Sequence, residues 1–456
     1  MRFYKLLLSI TLLSTATAVK AQEMPKEICG YDLVMEQLEK QYPGFRKQYD
    51  QQYINAVYQR AVSSRKTPIK DTTYFYDTIY TLPVVFHVLY NNNAENINDS
   101  LLKNQLEVLN QDFRRLNADT SKTRAIFKSR AGDTRINFEL ATVDPNGNAT
   151  TGIVRKSTSR TTFYSNDLNL VKYSSNGGAD AWDPTKYLNI WVCDLSYLGQ
   201  DALLGFAYPP YGHPFWTSQS WVSDPNQGVV LHYKIVGRNN PLSKGQAQVL
   251  DNSSKGRVAV HEVGHYLGLR HIWGDGTTGG GCAVDDYIFD TPNQRVRSDF
   301  DCNPNANTCN DPGAEQFPDM IENYMDYSAH FCQNMFTHQQ IAAMRYSLSV
   351  YRTSLPVKVE YIQKMKVKDT FAYNDLKLFA AEGQKVIVEQ RNSDLPNEMY
   401  MDVYDMSGQL VLDHYQLTKN EMWVSTAKMA AGIYVFSLRD KENRPVLRQK
   451  ILITKN

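Results

Sequence analysis

The chain lacks a surplus of charge, a long apolar run outside its first residues, and any cysteine after residue 332. Its 49 Lys and Arg against 48 Asp and Glu leave a formal charge of +1, which argues against a polyanionic partner such as nucleic acid. A bilayer takes about 20 consecutive apolar residues to span, and no later segment supplies them. The six cysteines also lack zinc-finger spacing, which disfavours a closed structural metal site. What is present is the balance of an ordinary globular protein, 42% hydrophobic and 21% charged in 456 residues. That length suits two or three domains.

The N-terminus reads "MRFYK", then "LLLSITLLSTATAV", then "VKA" before Gln22. A basic start, a short apolar stretch and a small-residue site predict a signal peptide over 1–21, cut after Ala21. An N-terminal anchor is the alternative. Export places the cysteines in an oxidising compartment. Cys282, Cys302, Cys309 and Cys332 fall in a stretch rich in Gly, Asn, Asp and Pro, without hydrophobic periodicity. Two disulfides are expected there, and spacing leaves all three pairings open. Cys193, within "YLNIWVCDL", reads as a buried thiol, whereas Cys29 stands alone.

Residues 22–77 are polar and helical in pattern, and end in "SSRKTPIKD", which suits a proteolysed linker. Strands are expected at "YTLPVVFHVLYN", "RINFELATV", "YLNIWVC" and "GVVLHY". A helix is expected at 102–113, capped by Asp99 or Ser100, another from near Arg257, and a closing one at "HQQIAAMRYSLSVYR". This order predicts an α/β (α+β) unit with a mixed twisted sheet over 78–355. From 356 to 456 the texture changes to short strands joined by Gly and Asn/Asp turns, a small all-β sandwich.

The chemistry concentrates in "HEVGHYLGLRH", residues 261–271. His261 and His265 are four apart, so a helix presents both rings on one face, roughly 5–6 Å apart. Gly268 permits a left-handed turn that brings His271 back as a third ligand. Three ligands leave a zinc position open for water, and Glu262 stands where it takes that water's proton. A bare HExxH arises by chance in roughly one chain of this length in twenty, the longer pattern in about one in ten thousand. Histidines merely exposed on a helix are the bland alternative.

HExxHxxGxxH resembles the metzincin metallopeptidases, and "HEVGHYLGLRHIWGD" with "NYMDYS" resembles the pappalysin family within them. "LPVVFHVLYN" and "LNQDFRRLN" extend the resemblance to about residues 78–350. It implies a metzincin-like fold, a methionine turn at Met325, and endopeptidase activity on proteins or peptides. It also implies that Tyr327 faces the metal and steadies the tetrahedral intermediate. The disulfides it implies are Cys282–Cys309 and Cys302–Cys332. "GCAVDDYIFDTP" matches the family's calcium segment, with Asp286 and Thr291 as the foremost ligands beside Asp285 and Asp290. A solvated acidic loop is the alternative. Members that cleave beside arginine carry an acidic residue where this chain has Phe331, so a substrate pocket floored by Phe331 and a preference for apolar or uncharged side chains are expected.

Cys29, in "EICGYD", is expected to occupy the water position until the prosegment is cut near Arg65 or Lys66. An unpaired surface thiol is the other reading. "MDVYDMSGQLV", "MAAGIYVFSLRD" and "LRQKILITKN" resemble the sorting domains of the type IX secretion machinery of Bacteroidetes. This implies release from, or attachment to, the surface of a Gram-negative cell. A generic β-sandwich that binds substrate or carbohydrate is the alternative. Among function classes, a secreted zinc endopeptidase made as a zymogen leads. A degenerate adhesin has no use for Glu262, and a small-molecule zinc hydrolase has none for a prosegment.

Overall fold

The computed structural model describes residues 29–53, 78–210, 224–244, 248–275, 281–310 and 316–361. Toward the C-terminus it describes 376–381, 384–390, 398–405, 409–418, 422–441 and 445–454. The signal peptide expected at 1–21 and the linker near Arg65 and Lys66 lie outside the described residues.

Helices α1 (Tyr31–Gln41) and α2 (Phe45–Tyr53) come first, in place of one continuous helical run. The chain breaks at Tyr42-Pro43-Gly44, where Gly44 takes φ +90°. Strand β1 (Thr78–Tyr90) follows, then α3 (Asp99–Phe113), β2 (Ile136–Leu140), β3 (Ile153–Ser157), β4 (Leu188–Cys193), β5 (Gly205–Ala207) and β6 (Val229–His232). Helix α4 (Arg257–Tyr266), which carries His261 and His265, helix α5 (His338–Val350) and strand β7 (Lys358–Tyr361) complete the larger unit. The cap of α3 is Asn98, whose side chain accepts from the Leu101 amide, one residue before the expected Asp99 or Ser100.

These strands form one seven-stranded mixed sheet in the order β2-β1-β4-β6-β5, with β3 and β7 also on β1. Strand β1 is its spine. On one edge Tyr80–Val84 run parallel to β2 and Phe86–Tyr90 parallel to β3. On the other, Thr78–Thr81 pair antiparallel with β7 and Val84–Val88 parallel with β4. Thr81 accepts from Val357 on that second edge, so Pro83, two residues on, faces the same way. It sits where β7 has ended and β4 begins, a place that needs no backbone donor. Pairing of β7 with β1 carries the larger unit past the boundary expected at 356, since Val357–Tyr361 complete its sheet.

The described residues after 375 form two antiparallel sheets: β8 (Leu376–Ala381), β9 (Lys385–Gln390) and β12 (Trp423–Ser425) in one, and β10 (Glu398–Asp405), β11 (Leu410–Thr418), β13 (Gly432–Asp440) and β14 (Pro445–Ile453) in the other. Val386, Val388, Met399, Met401, Val403, Phe436 and Leu438 alternate inward and form a separate core. No helix among the described residues is long and apolar enough to cross a membrane.

Candidate active site

Helix α4 has no side-chain cap, and its N-cap, Gly256, is left-handed. Its first turn is held instead by α3 and the short turn that follows it. Gln105 donates to the Gly256 carbonyl at 2.9 Å, and Asp112 and Asp119 grip Arg257 at 3.0 and 2.7 Å. Arg257 also donates to the carbonyls of His330 (2.6 Å) and Gln333, so one side chain ties the helix to the segment after the methionine turn. At Gly264 a β-carbon would stand 2.5 Å from the Met325 sulfur, so the helix rests directly on that methionine. Gly268 has φ +98°, which releases the chain from the helix.

These constraints bring three imidazoles to one point. The Nε2 atom of His265 lies 3.1 Å from that of His261 and 3.1 Å from that of His271. Nδ1 of His261 donates to the Tyr324 carbonyl at 2.7 Å, and Nδ1 of His265 to the Leu269 carbonyl at 2.8 Å. A carbonyl cannot donate, so each proton is on Nδ1 and each Nε2 presents a lone pair. Burial holds His261 down to about 4, and burial plus the neighbouring imidazoles holds His265 and His271 well below the usual range. Inward-facing lone pairs at 3.1 Å repel without a cation between them. A tetrahedral ion with bonds of about 2.0–2.1 Å sets its ligands roughly 3.3 Å apart, so these donors fit zinc.

The Cys29 sulfur joins this group, with all four donor atoms within 4.8 Å of one another. Gly30 donates to the Gly205 carbonyl at 2.8 Å, which lays the segment along β5. Tyr31 stacks on His265 at 4.0 Å, and Trp273 stacks on His271 at 4.4 Å. Glu262 is fully buried; burial pushes its carboxyl up to about 8, with the Cys29 thiol beside it pulling the other way. The Tyr327 ring lies 5.5 Å from that of His261 and 5.2 Å from that of His271, and its hydroxyl points to the Cys29 carbonyl at 3.5 Å. Tyr31 and Trp273 were not singled out in the sequence. Their only signal there is an aromatic two residues beyond Cys29 and beyond His271.

One expectation changes. Phe331 is 53% exposed and lies outside the cavity beside Glu262, which Val258, Phe300, Asp326, Ser328, His330 and Gln333 line. The tight turn from Ala329 to Cys332 buries His330 and turns its neighbour outward. The acidic segment at 285–291 makes contacts in two directions. Thr291 donates to Asp286 at 2.9 Å, and burial and then Asp285 raise the Asp286 carboxyl well above its usual range. Asp290 instead accepts from the Gln339 amide in the first turn of α5, and burial lifts it to about 6. Disulfides join Cys282 to Cys309 and Cys302 to Cys332, and Cys193 is buried.

A family profile described as pregnancy-associated plasma protein-A, of the M43 peptidases, matches residues 243–349. An extracellular metalloprotease of Arthroderma benhamiae is 30% identical over 266 residues, 58% of this chain and 71% of that protein. The chain belongs to the pappalysin family. Mature mirolysin of Tannerella forsythia, solved with a cleaved peptide, is 42% identical with a TM-score of 0.52, covering 61% of this chain and 96% of that one. A mutant promirolysin from the same organism is 39% identical with a TM-score of 0.54, covering 73% and 97%. This pappalysin is therefore an extracellular metalloprotease with the mixed α/β metzincin-type fold. Residues 382–454 match a secretion system C-terminal sorting domain.

Proposed function

We propose that the chain is the zymogen of a secreted zinc endopeptidase, exported through a type IX route and held latent by Cys29. The observation that carries this is the convergence of three imidazole Nε2 atoms beside the buried Glu262, with the Cys29 sulfur as a fourth donor. His261, His265 and His271 would hold zinc, which supplies Lewis acidity that polarises a carbonyl and lowers the pKa of water to about 7. Glu262 accepts the water's proton at its carboxylate and passes it to the leaving amine. Tyr327, whose ring flanks two of the histidines, offers its hydroxyl to the oxygen that gains charge. The test is zinc content together with casein hydrolysis by the purified protein, with and without chelator. Hydrolysis that persists after the metal is removed would overturn the assignment.

The longer match to promirolysin than to mature mirolysin supports reading residues 22–77 as the prosegment. Cys29→Ala should then raise hydrolysis by the uncut precursor at least about tenfold, the equivalent of about 1.4 kcal/mol of lost blockade. Equal latency in the variant and the wild type, measured on casein, would remove Cys29 from this role. The C-terminal match supports delivery to the surface of, or release from, a Gram-negative cell.

Calcium belongs at Asp285, Asp286 and Thr291, where a hard cation would replace the proton that two adjacent carboxyls otherwise share. Asp290 accepts from the Gln339 amide at Oδ2 and keeps Oδ1 without a hydrogen-bond partner, so it stays a candidate fourth ligand. Calcium at a hundredfold excess over its Kd should stabilise the fold by about 2.7 kcal/mol. The readout is the melting midpoint of calcium-stripped protein, and Asp286→Asn should abolish the gain. A midpoint insensitive to calcium in the wild type would exclude the site.

A further inference from the structure

Arg270 immediately precedes the third histidine, is 4% exposed, and plays no part in the chemistry above. It donates to Asp50 at 2.6 Å and lies 3.4 Å from Asp275. Around the guanidinium stand three tyrosine rings, with centroids 4.3 Å (Tyr53), 5.2 Å (Tyr49) and 5.7 Å (Tyr287) away. Tyr49 and Tyr53 are four apart on α2 and stack on each other at 6.2 Å, while Tyr53 meets Tyr287 edge-on at 6.4 Å. One carboxylate and two of the rings come from α2; Asp275 and Tyr287 come from the catalytic unit. A desolvated guanidinium needs both an anion and aromatic faces, and here the N-terminal segment supplies one of the two carboxylates and two of the three rings.

We propose that Arg270 and Tyr287 form a second recognition site on the catalytic unit, for a peptide presenting a carboxylate flanked by aromatic rings. Its occupant in the intact chain is Tyr49–Tyr53. The N-terminal segment is thus held at two points, Cys29 at the histidines and Asp50 with its tyrosines at Arg270, with the Tyr31 hydroxyl 3.4 Å from that of Tyr49 between them. Cutting the linker alone does not free it; both contacts must open. The regulatory meaning rests on reading 22–77 as an inhibitory prosegment, whereas the binding itself needs no active enzyme.

Hydrogen exchange on the full chain carrying Glu262→Ala, which prevents self-cleavage, tests this. Asp50→Asn should speed exchange across residues 45–53 about fivefold. Arg270→Leu should do the same, and the two together should do no more than the larger single change, because they break one contact. Cys29→Ala should loosen residues 29–35 and leave 45–53 protected. Additive effects of Asp50→Asn and Arg270→Leu, unchanged exchange in Asp50→Asn, or release of 45–53 by Cys29→Ala alone would each overturn the site. If Arg270→Leu does not fold, Tyr53→Leu with Tyr287→Leu makes the second cycle under the same criteria. Absent casein hydrolysis by the matured chain with Glu262 intact, together with these exchange results, removes the protease reading and leaves the site standing. Normal hydrolysis with unchanged exchange does the reverse.

Discussion

Glu262→Ala is expected to lower kcat/KM for peptide hydrolysis by about 10²–10⁴-fold, the range a positioned general base contributes. The three histidines are each fixed by contacts that do not involve Glu262, namely the Tyr324 and Leu269 carbonyls and the Trp273 ring. Zinc content should therefore stay at the wild-type value. The Glu262 stem packs near Gly205 and Val258, and removing buried methylenes costs about 0.8 kcal/mol each. The variant should thus fold, melt slightly lower, bind metal and fail to cleave. Glu262→Gln, which keeps the stem, should melt with the wild type and be equally inactive. Activity of either variant within tenfold of wild type, at full zinc occupancy, would assign the base to another group.

Arg257→Ala should destabilise the protein by about 3–5 kcal/mol, the cost of breaking a buried ion pair and leaving its partners behind. Asp112 is almost fully buried, and Asp119 loses two of its hydrogen bonds. Burial raises the Asp119 carboxyl, but the hydrogen bonds and charge of Arg257 more than reverse this and hold it well below the usual carboxylate range. A depressed carboxylate stabilises the fold above its unfolded pKa, about 3.9, and that contribution fades as pH falls toward the folded value. The variant should therefore lose most at neutral pH, and its stability should depend less on pH below about 4 than that of the wild type. Urea unfolding at pH 7 and pH 3 measures both effects. A loss under 1 kcal/mol at pH 7 would mean that Gln105 and the Gly256 carbonyl secure the helix without Arg257. Activity should fall as well, because the same guanidinium links α4 to the segment that follows Tyr327.

Much of the scaffold was legible locally. The run from Leu82 to Leu89 is buried and apolar, and it forms the central strand expected of it. The i, i+4 histidines share a face by helical geometry alone, and Gly268 lies where a chain leaving the helix needs a positive φ. Strand β7 was missed because "KVEY" carries no signal of its own; only the free edge of β1 makes it a strand. Phe331 was misplaced for a similar reason. Its position before Cys332 is a sequence fact, but which of two neighbours turns inward depends on a turn and on the bond to Cys302.

The amino-acid sequence by itself determined the class of chemistry, because ligand type and helical spacing act over eleven residues and need no distant partner. It determined the succession of strands and helices for the same reason. Only the tertiary structure decided that Tyr31 and Trp273 stack on the histidines Cys29 was expected to meet, that one Asp290 oxygen reaches the Gln339 amide of α5, and that Arg270 is enclosed by Asp50 and three tyrosines. Those contacts join segments with no common period. They exist because the sheet and the core packed on it hold the segments close enough for burial to outweigh the cost of ordering them.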